Sequence, residues 1–352
     1  MFATDQAIAS SQTAALAAQT RFQRAVDGLE QALRVLATQA HGPAVTTEAD
    51  KQALVTAHRP ALRDFGLALE EFTDAGQALS PAELAQYHTH THDRLHPLLL
   101  QSPFARRCFE KPLGYAGDYV MVRYILGDPF QGDSAFAQLV NFMLVQADVA
   151  QGHRNRINYL EALLNRHAMD AHAVGRTARG LTIGCGPAEE TFRFIHHCPH
   201  AASLDLTLMD FNQETLDWTA SRLAQACQET GRHPGLTYVH DSVYALARQK
   251  AASISPAYDV VICAGLFDYL TDRFCKRVVE FGARSLLEGG TLLVTNVSRC
   301  RSSLGMSEVL EWDLIYRSAD HFASLLPDLE GFSRRVYVDE TGTNVVAELR
   351  HH

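Results

Sequence analysis

Leu181-Thr-Ile-Gly-Cys-Gly-Pro-Ala-Glu-Glu190 decides how this chain is read. A short apolar run ends in Gly184-Cys185-Gly186, and a helical pattern follows. A parallel strand hands over to a helix in this way, through a turn bare enough for a ligand to lie against the backbone. The third glycine of a G-x-G-x-x-G turn is missing, and Glu189 holds its place. An acid there is unfavourable for a dinucleotide pyrophosphate, so a nucleoside cofactor without phosphates is expected. Taken alone the turn is weak, because many tight strand-to-helix turns carry two glycines and bind nothing.

The pattern around it supplies the weight. From residue 180 strands and helices alternate. Strands are expected at 180–184, 204–209, 236–240, 259–264, 290–296, 334–338 and 344–349. Helices are expected at 188–197, 213–230, 243–250 and 272–287. Such alternation predicts an α/β protein with a Rossmann-like, doubly wound, seven-stranded sheet. Asp339-Glu-Thr-Gly-Thr-Asn344 separates the last two strands and makes them an antiparallel hairpin.

Residues 1–100 read as helical. Phe22, Val26, Leu29, Leu33 and Leu36 fall at three- and four-residue spacing and form one apolar stripe. His41-Gly42-Pro43 ends that helix. Leu62, Phe65, Leu67, Leu69 and Phe72 continue the apolar pattern, and Ser80-Pro81-Ala82-Glu83 starts a further helix with Ser80 as its cap. One long amphipathic helix is expected over 134–167. The division expected is a helical N-terminal region, 1–130, before an α/β domain, 131–352. The helices of the first region could serve a homodimer.

Composition limits the possibilities. The 352 residues are 47% apolar and 20% charged, with a formal charge of −9, which describes a globular chain rather than a nucleic-acid-coating one. No apolar run reaches the ~18 residues of a membrane span. Met1 to Arg21 has no basic or strongly apolar portion, so no signal peptide is expected. Seven scattered cysteines, with no C-x-x-C, suit reduced thiols and a cytoplasmic location. His88, His92 and His96 would share a helix face and could hold zinc. A polar helix face is preferred and no metal expected, because neither a cysteine nor a clear carboxylate partner stands beside them.

Four strand ends carry the chemistry, since ligands of doubly wound sheets bind beyond the carboxyl ends of the strands. The first is the Gly184–Gly186 turn. The second is Asp210, 24 residues after Gly186, near the distance at which an acid accepts from ribose hydroxyls. The third is His240-Asp-Ser-Val243, where Asp241 could accept from an adenine amino group. The fourth is Tyr258-Asp-Val-Val-Ile-Cys-Ala-Gly-Leu-Phe-Asp-Tyr-Leu270, with Gly265 at the pocket's lip. Together they favour an adenosine-shaped ligand. Between the helices, Lys111-Pro-Leu-Gly-Tyr-Ala-Gly-Asp118 interleaves aromatic and charged residues with glycines. It reads as a functional loop, with a packed connection as the plain alternative.

In this order of features, residues 150–352 resemble a class I S-adenosylmethionine-dependent methyltransferase. Lys111–Asp118, Ala264-Gly-Leu-Phe-Asp-Tyr-Leu270 and Trp312-Asp-Leu-Ile-Tyr-Arg317 resemble a narrower bacterial group, which includes the methyltransferases that make hydroxy-fatty-acid methyl ester quorum signals. The resemblance implies S-adenosyl-L-methionine as cofactor. It implies that Gly184, Cys185 and Gly186 pass under the methionine part, that Asp210 holds the ribose, that Phe211 and Val243 flank adenine, and that Asp241 and Ser242 read its edge. Gly265 would line the pocket. Arg156 would take the cofactor carboxylate, or else be a surface arginine. Tyr115 would be a lid residue touching cofactor or substrate. Asp268 and Tyr269 would face the substrate, unless Tyr269 is core. Tyr316 and Arg317 would lie on a substrate-side helix, with Arg317 able to clamp a carboxylate.

The expected reaction is methyl transfer to a small molecule, most simply to a carboxylate of a fatty-acid-like or other secondary metabolite. Nitrogen or hydroxyl acceptors are the alternatives, and would call on His240, Asp268 or Tyr115 as base. A non-catalytic cofactor-binding regulator is a further alternative. A nicotinamide dehydrogenase is disfavoured by the missing glycine, and a nucleic-acid substrate by the lack of a basic stripe.

Overall fold

The computed structural model describes residues 2–247 and 257–352, and the side chains of the first helix from Thr13 onward. The chain divides into two units, 1–148 with 301–313, and 149–300 with 314–352.

The first unit is helical: α1 (Phe2–Gln39), α2 (Glu48–Gln77), α3 (Pro81–Leu99), α4 (Pro103–Glu110), α5 (Tyr119–Leu126) and α6 (Ala135–Val145), with a short helical turn at Ser303–Glu308. The stripe Phe22, Val26, Leu29, Leu33 and Leu36 is buried as expected, and α1 stops before Gly42. Leu67 departs from the expected pattern and is 56% exposed. Ser80 caps α3 in a capping box, exchanging hydrogen bonds with Glu83. The 111–118 loop joins α4 to α5. Lys111 closes α4 in the left-handed region, and buried Asp118 caps α5 while pairing with Arg107 at 2.7 Å.

The helix expected over 134–167 is two helices, broken at Gln146–Ala147. The helical unit extends through the first of them. Gln138 and Asn141 of α6 are buried, and they bond the backbone of Val45 and the hydroxyl of Ser102.

The second unit contains α7 (Asp148–Ala173), β1 (Ala178–Ile183), α8 (Glu189–His197), β2 (Leu204–Asp210), α9 (Gln213–Thr230), β3 (Leu236–His240), α10 (Val243–Ala247), β4 (Tyr258–Cys263), α11 (Asp272–Arg284), β5 (Leu286–Val297), β6 (Phe332–Val338) and β7 (Asn344–His351). Residues 248–250 of the helix expected over 243–250 lie outside the described residues. The sheet order is β3-β2-β1-β4-β5-β7-β6. β1 to β5 are parallel, and β7 is antiparallel to both β5 and β6, so the terminal hairpin forms as read.

β5 begins earlier than expected. After α11 ends at Arg284 the chain pairs at once through Leu286, and the register against β4 then shifts before Thr291. Gly289, at φ 80°, sits in that irregularity.

Alternation along the strands builds a core on each face. Val260 and Ile262 join the layer with Leu164 of α7, Phe194 of α8 and Leu223 of α9. Val261 and Cys263 join the layer with Val278 of α11. β1 is hydrogen-bonded to β2 on one side and β4 on the other, so the winding reverses at the β1/β4 crevice, where such sheets hold their ligands.

Candidate active site

The glycine turn follows β1 at that crevice. Gly184 and Gly186 have φ values of 68° and 52°, a region that glycine enters without steric cost. A Cβ on Gly184 would also stand 3.3 Å from Leu266 in the turn after β4. The turn spends its amides inside the protein. Those of Gly184 and Cys185 donate to the carbonyl of Met209, and that of Gly186 donates to Asp210 Oδ2 at 3.0 Å. Glu189 and Glu190 open α8. A turn with engaged amides and two acids beyond it is no phosphate cradle, which agrees with the sequence expectation. Glu189 is paired with Arg193 and Arg222 at 3.1 and 2.7 Å. The Cys185 thiol is buried and pushed well above its ordinary value by that burial, so it is unreactive.

Asp210 is buried and holds the two turns in place. Oδ2 accepts from Gly186, and Oδ1 accepts from Asn212 N–H at 3.0 Å. Burial raises its pKa against the pull of these backbone bonds. A carboxylate has about four acceptor sites, and the amides of Gly186, Phe211 and Asn212 leave room for a ribose hydroxyl. Phe211 is half exposed beside it. Asp241 accepts from Ser242 N–H at 2.7 Å, and Val243 is buried at the start of α10. His240 Nε2 donates to the Phe211 carbonyl at 2.9 Å, so this nitrogen carries a proton and cannot be a base.

Beyond β4, Gly265 has φ 83° and donates to Thr295 Oγ1 of β5. The guanidinium of Arg156 lies against it, 2.9 Å from where a Cβ would be. Arg156 is therefore no surface arginine. It is buried on α7, and its Nη2 donates to His153 Nδ1 at 2.7 Å. Burial lowers its pKa, partly offset by Asp268, then Glu190 and Tyr269. Arg156 Nε, His153 Nε2 and Glu190 Oε1 are buried without hydrogen-bond partners. Glu190 is pushed up to about 7, chiefly by burial. Groups of both charge signs with unsatisfied polar atoms, beside a bare glycine turn, suit a zwitterionic amino-acid end of a ligand. His153 and Glu190 were not singled out from the sequence. For Glu190 the signal was present, as the second acid of the opening stretch.

Asp268 sits in the turn Phe267–Tyr269 and is buried. Its Oδ1 accepts from Val297 N–H at 2.6 Å and its carbonyl accepts from Ile315 N–H. Tyr269 is half-buried in the same turn.

Two expectations need correction at 316–317. That stretch is not helical. Arg317 is buried, with its donors committed to the fold. Nε and Nη2 reach Asp272 Oδ1, Nη1 reaches Phe267 O and Asn296 Oδ1, and Nη2 reaches Leu270 O. Five donors on five contacts leave none to clamp a substrate carboxylate. Tyr316 is half-buried, with the Arg299 guanidinium over its ring at 5.2 Å. Tyr115 is half-buried on the 111–118 loop of the helical unit.

The strand order and glycine turn define a Rossmann-like fold of the class I methyltransferase type. No protein-family model matches the chain, and no curated protein matches it. Solved structures do. A possible exported protein from Bordetella parapertussis aligns over 95% of this chain and 96% of its own, at 15% identity and TM-score 0.52. The magnesium protoporphyrin IX methyltransferase ChlM from Synechocystis PCC 6803, with bound S-adenosylhomocysteine, aligns over 65% of this chain and 92% of its own, at 14% identity and TM-score 0.44. The N-methyltransferase NodS from Bradyrhizobium japonicum WM9, also with S-adenosylhomocysteine, aligns over 57% and 87%, at 19% identity and TM-score 0.36. Among the described residues, no helix is long and apolar enough to cross a membrane.

Proposed function

We propose that the chain is an S-adenosylmethionine-dependent methyltransferase acting on a small molecule, with a carboxylate of a fatty-acid-like or other secondary metabolite as acceptor. The observation that carries this reading is the buried set around Arg156. The guanidinium against Gly265 after β4, the imidazole it bonds and the Glu190 carboxyl on the helix after β1 each have an unsatisfied atom, at the switch point of the sheet.

These residues fit the cofactor. Arg156 would take its carboxylate, and Glu190, ionising near neutral pH, its ammonium. Asp210 would accept from the ribose, and Phe211, Asp241, Ser242 and Val243 would surround adenine. S-adenosylmethionine supplies a methyl group already activated on a sulfonium. The protein's task is then to orient the acceptor and exclude water, which can account for about 7–11 kcal/mol of a barrier. A carboxylate is ionised at neutral pH and needs no base. That suits a site whose His240 donates through Nε2 and whose Asp268 is held by the Val297 amide.

The test is incubation with methyl-labelled cofactor and a panel of hydroxy acids, phenols and amines. Label in base-labile esters is expected. Label confined to amines or phenols would overturn the carboxylate assignment, and failure to bind S-adenosylhomocysteine would overturn the cofactor.

A further inference from the structure

The helical unit carries a cluster that methyl transfer does not use. His88, His92 and His96 stack along α3, with ring centroids 3.9 Å apart in both successive pairs. The segment 301–313 runs against this ladder. His92 Nε2 meets the carbonyl of Glu308 at 2.9 Å, and His96 Nε2 meets that of Val309 at 2.8 Å. A carbonyl cannot donate, so both nitrogens carry protons and each neutral ring keeps one lone pair. At Glu311 the backbone enters the left-handed region, φ 48°. Its Oε1 lies 3.6 Å from His88 Nε2, and its Oε2 lies 3.6 Å from Lys111 Nζ. This is the carboxylate partner that the sequence around the histidines lacks.

We propose that His88, His92 and Glu311 form a binding site for a zinc-like divalent cation. Donor atoms of the three side chains lie within 4.8 Å of one another. Two imidazoles and a carboxylate are a donor set that zinc accepts, with the fourth position left to water. Bonds of about 2.0–2.2 Å to a tetrahedral ion place its ligand atoms roughly 3.3–3.6 Å apart. The His88–Glu311 pair is already at the upper end of that span. Small side-chain rotations close the wider separations, and they are open to His88 and Glu311, whose side chains are 42% and 39% exposed.

Two further features fit. The bond from His92 to the Glu308 carbonyl is the outer-shell contact that fixes a metal-bound imidazole in its tautomer and orientation. The non-glycine φ at Glu311 turns its carboxylate back toward α3, a backbone cost that a ligand position would explain. Lys111 pairs with Glu311 through Oε2, and a bound metal would compete with it for the carboxylate. Bound metal would tie 301–313 to α3. None of this depends on the methyltransferase reading.

The test uses the full chain without an affinity tag, stripped with chelator and titrated calorimetrically with zinc chloride. One equivalent is expected to bind, with Co(II) giving the visible bands of a tetrahedral site. Glu311→Gln and His88→Gln should each weaken zinc binding by roughly tenfold or more, while Lys111→Ala leaves it unchanged or tightens it. S-adenosylhomocysteine binding, measured in the same samples, should not change. Circular dichroism confirms folding, and the exposure of both substituted side chains makes folding the expected result. Absence of a zinc equivalent, or an equivalent that neither Glu311→Gln nor His88→Gln affects, overturns the site.

Discussion

Arg156 and Gly265 are fitted to one another. The guanidinium on α7 occupies the space that a side chain after β4 would need, 2.9 Å from the Cβ position, and Gly265 is held at φ 83°. Gly265→Ala would push the guanidinium aside and strain the backbone. Strain of this kind costs about 1–2 kcal/mol. The expected result is a modest fall in melting temperature, with S-adenosylhomocysteine affinity, read by calorimetry, falling by about tenfold or more. Unchanged affinity in a destabilised protein would mean that Arg156 does not touch the cofactor.

Glu190 gives a pH signature. Burial raises its carboxyl from the usual 4.5 to about 7. Between those values the folded protein binds a proton that the unfolded chain does not. The group therefore costs nothing below about pH 4.5, and its ionisation increasingly opposes folding as pH rises to 7. The shift corresponds to roughly 3 kcal/mol at most. Glu190→Gln should be more stable than wild type at pH 8, with the gap shrinking toward pH 5, as measured by urea denaturation. An ionised Glu190 favours the ammonium of the proposed cofactor. Affinity should therefore rise from pH 6 to 8 in wild type and stay flat in the variant.

Arg317 is a structural group, and its removal should show as such. Arg317→Met leaves Asn296, the carbonyls of Phe267 and Leu270, and Asp272 short of donors. Breaking a buried charged network of this kind costs about 3–5 kcal/mol. His321 first, then Arg317, holds Asp272 below the usual carboxylate range. That contribution is present above the unfolded value near 4 and lost as pH falls through the folded one. Wild type should thus lose part of its advantage over the variant in acid. Arg317→Lys, if folded, should keep the wild-type KM for an acyl acid, whereas a carboxylate clamp would raise it.

The sheet was legible because its signals are local. Strands buried on both faces give apolar runs, and the glycine turn and terminal hairpin are written in consecutive residues. The limits of α9 were read to the residue. What escaped depends on pairing across the chain. Gln138 and Asn141 are polar by type and buried by their partners. Arg317 has the residue type of an anion clamp, and only its neighbours show that every donor is engaged. Glu311 stands far from the histidines in sequence and close to them in space. Arg156 was open from sequence, since a helix arginine says nothing of its burial. Glu190, whose charge acts on Arg156, was overlooked because Glu189, next to it, filled the missing glycine's place.

Arg156 also separates the two ends of the proposed cofactor. A guanidinium binding a carboxylate contributes charge-assisted hydrogen bonds worth about 1.5–3 kcal/mol, or roughly 10- to 150-fold in affinity. Arg156→Gln should weaken S-adenosylhomocysteine by a factor in that range. Methylthioadenosine has the nucleoside and the sulfur but no amino-acid end, so the same substitution should leave its affinity nearly unchanged. Phe211→Ala is the complementary variant, because an aromatic ring flanking adenine serves both ligands. It should weaken both by a similar factor. If Arg156→Gln weakened both ligands equally, the residue would be organising the pocket as a whole, through His153 and Gly265, rather than meeting a carboxylate.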